Sequence, residues 1–194
     1  MPDLDRLAVR GGVVGPLVGF GTTLAATASS PSFRWTGSAL SDLGAVGAAN
    51  PWLFNYGLLA SALVTLPFVW PVWAAADHPV ERLGAVAFAL SVVLLGLVGV
   101  FPIDTALHGP VSAAYFTLLT VTLWVHGSGW VLAGLPGRGL IAIWLGIGHV
   151  LFWIGWVATG PGGIAVPELV GSLAFYAWIL LVVRTLPADG IGPA

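Results

Sequence analysis

The sequence predicts an all-α, polytopic membrane protein with six transmembrane helices in one bundle and both termini in the cytoplasm. Three observations carry that expectation. Of the 194 residues, 58% are hydrophobic and only 7% are Asp, Glu, Lys or Arg. Ordinary globular domains carry about 25% charged residues, so this chain cannot cover a water-facing surface. The mean hydropathy is +0.98. Finally, the apolar residues fall into runs of about 20, the length a helix needs to cross a hydrocarbon core about 30 Å thick.

Six runs meet that length, at about 11–30, 52–74, 82–101, 110–133, 139–159 and 164–184. Proline and glycine cut them apart. Pro51 and Pro110 stand at helix starts, where a missing N–H costs little. The stretches DHPVER (77–82), LPGRG (135–139) and TGPGG (159–163) are rich in turn residues. Pro67 and Pro71 lie inside the second run and predict a kink, tolerated in lipid when neighbours satisfy the freed carbonyl. The first run follows Asp3, Asp5, Arg6 and Arg10 and reads as a span, not a cleavable signal. The spans and their short connections use residues 1–194 as a single domain.

Arginine sets the orientation. An even number of crossings puts Arg6, Arg10, Arg82, Arg138 and Arg184 on one side and leaves Arg34 on the other. The positive-inside rule then predicts cytoplasmic termini in a multi-pass protein of the cell membrane. It leaves segment 31–51, loop 101–109 and turn 160–167 on the outer face. Net charge is -2, with no basic footprint for nucleic acid. There is no Cys, so thiolate metal sites and cysteine nucleophiles are excluded.

Gly11, Gly15 and Gly19 form a small-residue stripe on the first span. Such stripes let helix backbones approach closely. The expectation is packing within the chain, with a homodimer seam as the alternative. Trp35, Trp52, Trp70, Trp73, Trp130 and Trp156 lie toward span ends, as an interfacial belt requires. Trp124, Trp144, Trp153 and Trp178 are deeper and are expected to pack in the bundle.

The polar residues that remain gather on the predicted outer face. They are Ser41, Asp42, Asn55, Asp104 and His108, with Arg34 and Glu168 nearby. Segment 31–51 is moderately apolar and Gly-rich, which predicts a folded-back element lying on the bundle. It should bring Ser41 or Asp42 within hydrogen-bonding reach of Asp104 or His108. His149 is an imidazole near mid-membrane, where an ionisable group usually faces the bundle interior. His126 reads as a packed, neutral histidine.

Three motifs stand in fixed order: SDLGA (41–45), NPWLFNYG (50–57) and GVFPIDTALHGPVSAAYF (99–116). With them the chain resembles the prokaryotic six-helix membrane family known as domain of unknown function 998. That family is marked by Ser-Asp-Leu-Gly after the first span, Asn-Pro-x-x-Phe-Asn entering the second, and Phe-Pro-x-Asp-x(3)-His before the fourth. The Ser-Asp-Leu-Gly also resembles, distantly, the Ser-Asp-Thr-Gly of Sfk/DRAM membrane proteins, which are linked to lipid handling. The resemblance implies that Ser41, Asp42, Asn55, Asp104 and His108 act as one cluster; His149 and Glu168 match none of the motifs.

Three functions follow as expectations, and the sequence favours binding over catalysis. The first is a protein that binds a lipid or small molecule in an outer-face pocket. The second is a non-catalytic accessory subunit of a membrane complex. The third is a metal-dependent hydrolase of the ceramidase type, with Asp104, His108 and His149 as candidate zinc ligands. The sixth span lacks the paired His of that superfamily, so no metal or other cofactor is assigned. Membrane lipids are the expected partners.

Overall fold

The structure is a computed structural model that describes residues 2–186; residue 1 and residues 187–194 of the predicted domain lie outside the described residues. Seven α-helices run α1 Pro2–Ala28, α2 Pro51–Thr65, α3 Val69–Ala74, α4 Pro79–Val100, α5 His108–Leu132, α6 Pro136–Thr159 and α7 Ala165–Val183. Two 3-10 turns, Leu40–Gly44 and Leu66–Phe68, complete the described elements, and no strand occurs among the described residues.

Proline accounts for most of the boundaries. Pro51, Pro79 and Pro136 each open a helix at a position whose N–H has no intrahelical partner. Pro67 and Pro71 instead interrupt one long rod. Pro67 sits in the 3-10 turn that joins α2 to α3, and Pro71 lies in α3. Each removes one i→i−4 bond, and the tighter 3-10 ladder bridges the gap. The kink expected in the second span takes this form. At the end of α6, Gly160 adopts a left-handed conformation with φ 66° and turns the chain toward α7.

The six predicted runs correspond to these helices, with α2, the 3-10 turn and α3 together forming the second. Five have the length and apolarity to cross a membrane, namely Leu4–Ala28, Pro51–Ala74, Pro79–Val100, Pro136–Thr159 and Ala165–Val183. The exception is α5, 25 residues long, which carries Thr120, Thr122 and His126 on faces buried by its neighbours. A helix enclosed by others need not be apolar all round.

The interior centres on aromatic rings from three elements. Phe88 packs edge-on against Trp178 at 5.1 Å and against Phe68 at 6.0 Å, while Phe175 stacks on Trp178 at 5.7 Å. The outside of the bundle is lined by large apolar side chains, among them Leu17, Leu63, Leu83, Leu151 and Ile154. That surface fits lipid and not water. Trp144 belongs to it at 64% exposed, as does Trp124 at 38%, contrary to the expectation that both would pack inside.

The glycine stripe is used within the chain. A side chain at Gly11 would meet the carbonyl of Val64, one at Gly15 would meet Thr65 and Ser61, and one at Gly19 would meet Ser61. All three therefore face α2, and a seam between two copies would need a different surface. A second close approach joins α4 to α5, where Gly84 abuts His126 and Gly129 abuts Glu81.

Candidate functional site

The connections 29–50, 101–107 and 160–164 meet at one end of the bundle. Gly163 N–H donates to Thr36 O, and the N–H groups of Ile164 and Ala165 both donate to Ser38 O, each at 2.9 Å. Segment 31–51 is thereby folded back over the helix ends, as its composition predicts.

The predicted polar residues divide into two sets. The first set fastens this segment. Asp42 Oδ2 accepts from Ala39 N–H at 2.9 Å and caps its own 3-10 turn. Asn55 Nδ2 donates to Gly44 O at 3.0 Å, and Asp104 Oδ2 accepts from Val46 N–H at 2.6 Å. Arg34 Nη1 donates to Pro31 O at 2.8 Å and Phe33 O at 2.9 Å, closing its own loop. The expected side-chain pairing of Ser41 or Asp42 with Asp104 or His108 is not among the hydrogen bonds of the described residues. The carboxylates take backbone N–H groups instead. A buried or half-buried N–H without a partner is costly, and a folded-back loop has many.

The second set, Ser41 and Glu168, lines a cavity of about 100 Å³ beneath the 3-10 turn, between α1, α2, α4, α5 and α7. Phe20, Phe54, Leu95, Val98 and Ile179 give it apolar walls. Its polar lining includes Ser41, Ser112, Tyr115, Glu168 and Ser172, with Thr23, Ser61, Thr65 and Tyr176. An engineered apolar cavity of about 150 Å³ takes benzene, so this space suits part of an acyl chain. Glu168 is buried at 7% exposure, and its Oε2 accepts from Leu40 N–H at 2.6 Å, tying the first turn of α7 to the folded-back segment. Among the lining residues there is no Lys, Arg or His.

His108, at 7% exposure, lies behind Ser112. Its Nδ1 is 2.7 Å from Phe101 O and its Nε2 is 3.1 Å from Ser112 Oγ. A carbonyl can only accept, so Nδ1 carries the proton and the Ser112 hydroxyl donates to Nε2.

His149 is a separate matter. Trp153 Nε1–H donates to its Nε2 at 2.9 Å, so Nδ1–H donates to Thr120 Oγ1 at 3.0 Å. The ring lies against Gly171 of α7. Both nitrogens are committed, and the imidazole reads as neutral packing. His126 is wedged between Trp130 and Trp178, at ring separations of 4.6 and 5.1 Å. The zinc set Asp104, His108 and His149 is not assembled, and no group of three metal-binding side chains occurs among the described residues.

Ser112, Tyr115 and Ser172 escaped the sequence reading, which weighed acids and imidazoles. The signal was present: Glu168, Ser172 and Tyr176 recur every four residues on one face of an apolar helix, and Ser112 follows His108 by four.

No curated protein and no solved structure matches the chain, and nothing extends the likeness to Sfk/DRAM proteins. The family described as Protein of unknown function (DUF998) matches residues 13–185, from α1 to just past α7 and across all three motifs. The chain belongs to that family of unknown function.

Proposed function

We propose that the chain is a multi-pass cell-membrane protein with six crossings and cytoplasmic termini, and that it binds a single-chain lipid in the cavity between α1, α2, α4, α5 and α7. The sixth crossing is α5, whose 25 residues span about 37 Å at 1.5 Å per residue. Arg6, Arg10, Arg82, Arg138 and Arg184 against Arg34 set the direction.

The observation that carries the binding reading is the cavity lining. Apolar walls with a few convergent polar groups are the usual make-up of a ligand pocket. A single carboxyl and no cation among the lining residues suits an uncharged head group over a phosphate. The probe is therefore 1-O-oleylglycerol, an uncharged ether lipid that has no ester bond. Native mass spectrometry of protein released from detergent should show 1-O-oleylglycerol retained in preference to its glycerol-3-phosphate analogue. Leu169→Trp, which places a ring in the half-buried lining, should abolish retention. No retention by the wild-type protein, or equal retention by Leu169→Trp, would remove the cavity as the site.

A further inference from the structure

We propose that Ser112 and His108 form a nucleophile–base pair that cleaves the ester of a neutral lipid held in this cavity, an activity that rests on the lipid-binding reading above. The first support is the direction of the Ser112 hydroxyl. Many hydroxyls in these helices bond the carbonyl four residues back, as Ser91 does to Ala87, Thr117 to Ala113 and Ser172 to Glu168. That back-bond is the local default for Ser and Thr in a helix. Ser112 instead donates to His108 Nε2 at 3.1 Å.

The second support is the tautomer. Phe101 O holds the proton on Nδ1 at 2.7 Å, which leaves the Nε2 lone pair aimed at the serine. A nucleophile, a base within hydrogen-bond reach and a third group orienting the base make up the general arrangement for an activated serine. Here a main-chain carbonyl takes the place of the usual carboxylate.

The third support is placement. Ser112 lines the cavity and His108 does not, so the nucleophile faces the ligand while the base is buried behind it. Ser41 and Tyr115 line the same cavity with hydroxyls that can donate to a developing oxyanion. The neighbouring turn is exposed from Asp104 to Leu107, which gives water a route to the imidazole.

The chemistry balances with water as the only co-reactant. Ser112 Oγ attacks the ester carbonyl carbon while His108 Nε2 takes the hydroxyl proton. The carbon–oxygen bond to the alcohol breaks, and the imidazolium returns the proton to the departing alkoxide. Water then adds to the acyl–serine, giving its proton to Nε2. The serine oxygen leaves with that proton, and a fatty acid is released. Overall, ester plus water gives acid plus alcohol.

The test is labelling of the purified full chain by an alkyl fluorophosphonate, followed by intact and peptide mass, with retention of the uncleavable 1-O-oleylglycerol measured on the same samples. The expected result is one adduct, at Ser112, absent in Ser112→Ala. Labelling should be slowed at least about 100-fold in His108→Gln, the scale of a lost general base. Thr117→Ala, on an exposed part of the same helix, should label as the wild type does. Ser112→Ala that retains 1-O-oleylglycerol but takes no label supports the pair directly. Wild-type protein that retains 1-O-oleylglycerol yet takes no label, or an adduct that persists in Ser112→Ala, overturns the activity and leaves lipid binding standing. Neither retention nor label overturns both.

Discussion

The bond from Leu40 N–H to Glu168 Oε2 joins residues 128 positions apart and is buried at both ends. Glu168→Ala removes the acceptor and leaves a backbone N–H inside the bundle with no replacement. Such a group costs about 1–3 kcal/mol. Because about 1.4 kcal/mol is tenfold in an equilibrium, amide exchange at Leu40 should accelerate about 5- to 150-fold. Glu168→Gln keeps a side-chain carbonyl within the same reach and should restore most of the protection. Asp104→Ala is the internal comparison. It also deletes a carboxylate from a backbone N–H, but Val46 is 84% exposed, so water can replace the partner. Its effect should be small and confined to the residues around Val46. The assay is hydrogen–deuterium exchange of detergent-solubilised protein, read on peptides covering 31–50. Unchanged exchange at Leu40 in Glu168→Ala would refute the reasoning. So would a larger effect from Asp104→Ala, since burial would then not be what gives the bond its value.

Two further outcomes are expected. At the α4–α5 contact, Gly84→Ala and Gly129→Ala would drive a methyl into the main chain of His126 and Glu81, so each should lower resistance to SDS unfolding in mixed micelles by about 1–3 kcal/mol. Gly148→Ala, with nothing within 4 Å of the new carbon, should instead be neutral or gain up to about 1 kcal/mol from helix propensity. A reporter active only outside the cytoplasm should be silent when fused after Ala194 and active when inserted at Gly47; the reverse pattern would invert the orientation.

The helices were legible because proline marks their starts and lipid demands long apolar runs. Their ends were less so. The first apolar run opens at about residue 11, yet α1 begins at Pro2, because a helix need not stop where its apolar stretch does. The run that became α5 is the least uniformly apolar of the six, because its Thr120 and His126 are covered by other helices. The gathering of polar residues at one end of the bundle was legible, but their bonds were not. Asp42, Asp104 and Asn55 do meet at one end of the bundle, but their partners are main-chain groups of residues 39, 46 and 44. A sequence displays side chains; it does not show which amides a folded-back loop leaves unpaired. The cavity was hidden for a related reason, since its lining is drawn from five helices and a 3-10 turn that are far apart in the sequence.

The way segment 31–51 is held also constrains the order in which the protein can be made. Its anchors lie at Asn55, Asp104 and Glu168, on successively later parts of the chain. At about 5–20 residues per second, the ribosome adds the 128 residues between Leu40 and Glu168 in roughly 6–26 s. Through that interval the segment has already emerged but lacks its last anchor, and the cavity lacks the wall that α7 supplies. Docking of α7 is therefore the step that encloses the cavity, and a chain arrested before α7 would leave Ser41 and Ser112 on an open cleft.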